Sequence, residues 1–197
     1  MRAAALLDRD GVLNDLVVDP CSGAWESPLD PEQVRLIPGA AAAAARLARA
    51  GYLLVCISNQ PAAAKGKVSI AQLLAVHARV AELLEHEGVS LDASRLCLHH
   101  PDGIVPELAG ACLCRKPAPG MLFDAAASLG LDLARSWMVG DTDTDILAGR
   151  AAGCRTLLIR HPGSIHKRLQ VVGADIVADS LADGAERLRL RQSKTIT

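Results

Sequence analysis

Of the 197 residues in this chain only two are Trp, one is Tyr and one is Phe. So few aromatic rings leave almost no platforms on which nucleic-acid bases could stack. Charge of one sign is missing too, because 21 Lys and Arg face 22 Asp and Glu for a formal net charge of -1. No global basic field draws in nucleic acid or an anionic lipid surface. Long apolar runs are also absent. The opening "MRAAALLDRD" is interrupted by Asp8 before it can form the core of a signal peptide, and it offers no cleavage site. "GAAAAAARLARAGYLLV" is divided by Arg46, Arg49 and Gly51, too early for the ~20 apolar residues of a membrane span. These absences lead us to expect a soluble cytoplasmic protein that binds neither nucleic acid nor membrane, with a monomer as the default state.

What the chain does have is an alternation of apolar runs. Residues 3–8 read as a short buried strand, and 15–37, with Pro20, Gly23, Pro28 and Pro31, as a long irregular loop. Pro38-Gly39 opens an alanine-rich helix to about Ala50, and "YLLVCIS" follows as a strand. In "AQLLAVHARVAELLEHEG" the apolar residues Leu73, Val76, Val80, Leu83 and Leu84 recur at helical spacing, with Gly88 as the stop. "SRLCLHH" reads as a short strand and 101–120 as a Gly/Pro/Cys-rich loop. Helix "GMLFDAAASLG", strand "SWMVGD", helix "DILAGRAAG", strand "RTLLIR" and a last strand near "ADIVADS" complete the alternation. Such a pattern predicts an α/β fold with a doubly wound, mainly parallel sheet. We expect one domain over 1–190 and a frayed tail over 191–197.

In such sheets ligands sit beyond the carboxyl ends of the strands. Three predicted strands end in polar groups: Asp8 and Asp10, then Ser58-Asn59-Gln60, then Asp141 with Asp143 and Asp145. Crowded carboxylates repel one another, and a hard cation with oxygen ligands, magnesium above all, would compensate. A carboxylate can also attack phosphorus, and a second acid two residues away can pass a proton to the leaving oxygen. Lys116 and the Ser58 hydroxyl are candidates for holding a transferring phosphoryl group.

Clustered thiols form a second centre. "CLHHPDGIVPELAGACLCRKP" offers Cys97, His99, Cys112 and Cys114, a soft donor set that suits a tetrahedral structural zinc. His100 is an alternative to His99, and only one of these neighbours can face the metal from an extended backbone. Cys21, Cys56 and Cys154 have no such company. Cys56 and Cys154 read as small buried apolar residues, and His77 and His86 as residues on a helix surface.

"DRDGVLN", "SNQ", "RKP" and "GDTDTD" resemble, in order, the four motifs of the haloacid-dehalogenase-like (HAD) phosphatases. The resemblance implies a Rossmann-like HAD core, Asp8 as the nucleophile forming an aspartyl-phosphate, and Asp10 as general acid/base. It implies that Ser58 and Lys116 hold the phosphoryl group. Magnesium would be bound by Asp8, the backbone carbonyl of Asp10 and Asp141, with Asp145 in support directly or through water. The intervals leave no room for a large cap domain. The Cys/His loop over 97–114 is similar to that of two branches, the heptose 1,7-bisphosphate 7-phosphatases and the histidinol-phosphate phosphatases. That similarity favours His99 as the ligand. The heptose branch matches the quoted stretches better, which implies removal of the C7 phosphate of a heptose 1,7-bisphosphate, with histidinol phosphate as the alternative substrate. The small phosphorylated sugar would be met by Asn59, Gln60 and Arg115, with Lys65 or Lys67 near a second phosphate. The segment "DLVVDPCSGAWESPLD" and Thr142 depart from the pattern of those branches where substrate-selecting contacts lie. A phospho-accepting receiver domain is the rival reading from another class; Asp10, the Cys/His loop and the chain length argue against it.

Overall fold

The computed structural model describes residues 1–20, 22–168 and 173–194. Cys21 and residues 195–197 lie outside the described residues. The central sheet contains β1 (Ala4–Leu7), β4 (Leu53–Asn59), β5 (Ala93–Cys97), β6 (Trp137–Gly140), β7 (Arg155–Ile159) and β8 (Ile176–Ala178). β2 (Val17–Val18) and β3 (Trp25–Glu26) form a separate antiparallel ribbon. The helices are α1 (Ala40–Arg49), α2 (Ile70–His86), α3 (Gly120–Leu129), α4 (Asp143–Ala151) and α5 (Leu181–Lys194).

All six strands of the sheet run parallel, in the order β5-β4-β1-β6-β7-β8. The chain winds outward from β1 in one direction and from β6 in the other, so the order reverses between these two strands. That reversal opens a crevice at their carboxyl ends. Alternate residues of a strand face opposite sides of its sheet. In β1, Ala5 and Leu7 pack with α1, α2 and α5 through Ala44, Leu47, Val80 and Leu188. Ala4 and Leu6 pack on the other side with α3 and α4 through Leu122, Ala125 and Ala148. Both faces of the sheet are therefore covered, which accounts for the wholly apolar, fully buried β1. Ala40, Ala41, Ala43 and Ala44 of α1 are buried and give that helix a flat face against the sheet.

The expected doubly wound α/β architecture is present, and among the described residues no cap domain interrupts it. One local expectation is corrected, and one element was not anticipated. Residues 15–37 are not wholly irregular, because Val17–Val18 pairs with Trp25–Glu26 across a turn and Pro31–Gln33 makes a 3-10 turn capped by Asp30. A final helix, α5, follows the last strand on the stripe Leu181, Ala185 and Leu188. It runs to Lys194. Among the described residues no helix is long and apolar enough to cross a membrane.

Candidate active site

Asp8 follows the last residue of β1, and Asp141 follows the last residue of β6. The two carboxylates therefore flank the crevice, and α4 brings a third, Asp145, from its first turn. Carboxylate oxygens of Asp8, Asp141 and Asp145 all lie within 4.8 Å of one another. Lys116 reaches into this group from the loop before α3. Its Nζ is 2.9 Å from Asp8 Oδ1, 2.6 Å from Asp145 Oδ1, and donates to Ile57 O at 2.7 Å. Burial alone would lower the proton affinity of Lys116, but Asp145 and then Asp8 outweigh it and hold it above the usual lysine range.

One ammonium does not balance three carboxylates. Burial pushes the Asp8 carboxyl up to about 6, with Asp145 and Asp10 adding to the rise against the pull of Lys116. Asp141 is raised well above its ordinary value, by burial first and then by Asp8 and Asp145. Asp141 Oδ1 is buried without a partner. Unbalanced oxygen donors around one point are what a hard divalent cation needs, so the residues present fit magnesium. The Asp10 carboxylate stands outside this group, so any contribution from Asp10 has to come from its backbone carbonyl. Asp143 is buried in the first turn of α4 but is not part of the group either.

Asp10 is gripped from three sides. Arg9 donates through Nη2 at 3.0 Å and Nε at 3.2 Å, Asn14 Nδ2 at 2.9 Å and Gln60 Nε2 at 2.6 Å. Burial favours the neutral acid, yet Arg9 and these hydrogen bonds outweigh it and keep the Asp10 carboxyl below its ordinary value. Arg9 is fully buried and also donates to Gln60 Oε1 at 2.8 Å. Neither Arg9 nor Asn14 was anticipated from the sequence. The available signal was "DRD" itself, since an arginine at the end of a buried strand must find an anion. Gly11 follows with φ +83°, and a Cβ there would stand 2.1 Å from Asp141 Oδ2, so only glycine lets this turn approach the second carboxylate.

The residues expected to meet the substrate divide into two groups. Ser58 is buried on β4, and its Oγ accepts from Gln60 Nε2 at 3.1 Å, which leaves its own proton available. Asn59 and Gln60 spend their amides inside the protein. Asn59 donates to Lys116 O and accepts from Lys116 N, both at 3.0 Å, and Gln60 serves Asp10, Arg9 and Ser58. Arg115 donates to His99 O at 3.2 Å and lines the cavity above the carboxylates. That cavity measures about 360 Å³. Its walls include Trp25 and Glu26 of the ribbon, Lys65, Lys67, and Lys167 after β7. His77 is a correction, because its Nδ1 is buried without a partner. The residue is half-buried on α2, and burial and then Arg9 lower its proton affinity. His86 is exposed, 3.8 Å from Glu82.

The Cys/His loop closes on a second centre. Cys114 Sγ lies 3.2 Å from Cys97 Sγ, 3.3 Å from Cys112 Sγ and 3.5 Å from His99 Nδ1. The Cys97–Cys112 and Cys97–His99 separations are 3.6 and 3.9 Å. A tetrahedron of donors about 2.0–2.3 Å from a central ion has edges of roughly 3.3–3.8 Å, so the group fits a four-coordinate metal. His100 turns away and accepts from Asp102 N at 3.1 Å. Cys56 and Cys154 are buried, and burial pushes each thiol up to about 12.

Comparison with known proteins finds relatives among the phosphatases. Residues 113–184 match the HAD-hydrolase-like family model. The chain is 37% identical over 188 residues to D-glycero-beta-D-manno-heptose-1,7-bisphosphate 7-phosphatase of Yersinia pestis, covering 95% of this chain and 96% of that one. It is 44% identical over 163 residues to the D-glycero-D-manno-heptose-1,7-bisphosphate 7-phosphatase of Thermosynechococcus vestitus, covering 81% and 79%. A crystal structure of D,D-heptose 1,7-bisphosphate phosphatase from B. bronchiseptica, complexed with magnesium and phosphate, superposes with a TM-score of 0.80. It is 31% identical and covers 96% of this chain and 99% of its own.

Proposed function

The chain belongs to the HAD-like phosphatases, in the family of the D-glycero-D-manno-heptose 1,7-bisphosphate 7-phosphatases, and from that membership we propose that it removes the C7 phosphate of this sugar bisphosphate. The observation that carries the reading is Lys116 held between Asp8 and Asp145 beside Asp141, in the crevice at the carboxyl ends of β1 and β6. Asp8, Asp141 and Asp145, with the Asp10 carbonyl, would hold magnesium, which supplies charge neutralisation for the phosphoryl oxygens and for the carboxylates themselves.

An Asp8 carboxylate oxygen attacks phosphorus in line, and the bond from phosphorus to O7 of the sugar breaks. Lys116 and the Ser58 hydroxyl take up charge on the equatorial oxygens. Asp10 gives a proton to O7, and the alcohol leaves. Asp10 then accepts a proton from the water that attacks the aspartyl-phosphate, releasing inorganic phosphate and restoring Asp8. The clamp on Asp10 keeps it ionised at rest. An incoming dianionic phosphate favours protonation of its neighbours, which prepares Asp10 to act as the acid. Asn59 positions Lys116, and Gln60 positions Asp10. Arg115 and Lys65 stand together on the cavity wall, and both lower the proton affinity of His100 after the effect of burial. We assign them to the second phosphate.

The Cys97, His99, Cys112 and Cys114 group is assigned to structural zinc, with no ligand position left for substrate. It fixes the backbone immediately before Arg115 and Lys116. The described cysteines form no disulfide, which suits a reducing cytoplasm. We take the working unit to be a monomer.

A phosphate-release panel tests the reading, comparing the α and β heptose 1,7-bisphosphates, histidinol phosphate and simpler sugar bisphosphates in magnesium. Because the Yersinia pestis relative is named for the β anomer, we expect the β-bisphosphate to give the highest kcat/KM. Preference for histidinol phosphate would overturn the substrate, and a single stable phosphorylation without turnover would overturn the enzyme.

A further inference from the structure

After β7 the chain makes a 3-10 turn, Pro162–Lys167, that no phosphatase motif includes. The turn lays Ser164 against Asp141. The Ser164 hydroxyl is 1% exposed and donates to Asp141 Oδ2, while Asp141 Oδ1 keeps no partner. One oxygen of this carboxylate is thus committed to the protein and the other is left for a ligand.

The turn is itself held firmly. Arg168 Nη1 donates to Asp141 O at 3.1 Å and to His161 O at 2.9 Å, tying the end of β6 to the start of the turn. His161 caps the turn by accepting from Gly163 N at 3.2 Å, and its Nε2 is 3.0 Å from Asp15 Oδ1. The Trp25 ring stands edge-on to His161, with centroids 6.3 Å apart. Gly163 packs so closely that a Cβ would meet Trp25 at 2.9 Å and Leu16 at 3.0 Å. The β2–β3 ribbon therefore packs directly against the short segment that carries Ser164 to Asp141.

We propose that Ser164 is a positioning residue for Asp141, and that the Pro162–Lys167 turn, braced by Trp25, sets the orientation of this carboxylate for a divalent cation. The inference rests on the reading of Asp141 as a magnesium ligand. A carboxylate with one oxygen anchored gives up little rotational freedom on binding a metal. Outer partners of this kind are typically worth 10–100-fold in metal affinity.

The test titrates the chain calorimetrically with magnesium chloride in the absence of substrate, and in parallel measures the magnesium dependence of p-nitrophenyl phosphate hydrolysis. Ser164→Ala should bind magnesium about 10-fold more weakly and need correspondingly more for half-activation, with kcat at saturating magnesium within about twofold of the original. Gly163→Ala keeps the hydroxyl but displaces the turn, and it should show the same pattern. It carries the test by itself if thermal melting shows Ser164→Ala unfolded. Magnesium affinity equal to that of the unaltered chain in both variants overturns the proposal. So does a fall in kcat with affinity unchanged, because it would put Ser164 into the chemistry. An unaltered chain that binds no magnesium would instead overturn the role of Asp141 on which the proposal stands.

Discussion

Asp8 and Asp10 are two residues apart in the chain and occupy opposite electrostatic settings. Asp8 shares one lysine with other carboxylates and is pushed up to about 6, whereas Asp10 has Arg9 to itself and is held low. Asp8→Asn should reduce turnover to background. It also removes a charge from an overcrowded group, so the magnesium-free chain should melt no lower than the original; a lowered melting point would mean that lost activity reflects misfolding. Asp10→Asn should reduce kcat by roughly 10²–10⁴-fold in steady-state assays, the usual share of a general acid/base. Arg9→Met makes a different prediction. It leaves Asp10 buried opposite no cation, and breaking a buried pair in this way costs about 3–5 kcal/mol in denaturant unfolding. A loss under 1 kcal/mol would show that Asn14 and Gln60 satisfy Asp10 without help. The sequence pointed to Asp8, Asp10 and Asp141 because strand ends rarely carry such charge without a purpose, and to Lys116 through "RKP". It did not reveal that Asn59 and Gln60, which line the cavity, also hydrogen-bond Lys116, Asp10, Arg9 and Ser58, since an amide at a strand end reads the same whether it meets a ligand or a neighbouring loop.

At the scale of elements, the loop over 97–114 and β4 act as one unit. Cys114 is two residues from Lys116, and the Lys116 backbone exchanges hydrogen bonds with the Asn59 side chain at 3.0 Å in each direction. Cys112→Ser removes a donor from the four-ligand group and should release both the loop and the lysine. If it costs about 3 kcal/mol, the melting temperature of a chain this size falls by roughly 6–12 °C, and phosphatase activity falls with it. Unchanged melting in a calorimetric scan would mean that no metal is held there. The elements themselves were legible wherever burial imposes a period: β1, β4, β6, β7 and α2 all lie within a few residues of their expected bounds. The β2–β3 ribbon was not legible, because two-residue strands are too short for alternation to show, and Trp25 is held by His161 from a distant segment. The stripe of α5 was present in the sequence as Leu181, Ala185 and Leu188 but was diluted by charged neighbours. His77 shows the limit of periodicity, which places a residue on a helix face without saying what covers that face.

Across the whole molecule, the winding order concentrates acidic groups at one edge of a sheet whose interior is almost wholly apolar, and this concentration should make stability depend on both pH and magnesium. Asp8 has a folded value of about 6 against an ordinary 3.8, so its stabilising contribution is complete below about pH 4 and is lost as the pH rises through 6. The difference amounts to on the order of 3 kcal/mol. Asp141, also raised, acts with the same sign. Asp10 is lowered, so its contribution is present above 3.8 and is lost only in stronger acid, outside this window. His77 opposes Asp8: its lowered value gives stability above 6.5 that is lost on acidification. Melting curves in magnesium-free buffer alone would therefore mix two trends. The difference between melting temperatures with and without magnesium at each pH cancels His77, because only the carboxylates exchange protons for the ion. That difference should be small at pH 5, grow through pH 6 and level off by about pH 7.5, and it should be much reduced in Asp8→Asn. An increment equal at pH 5 and pH 7.5 would mean that the ion does not bind where the three carboxylates meet.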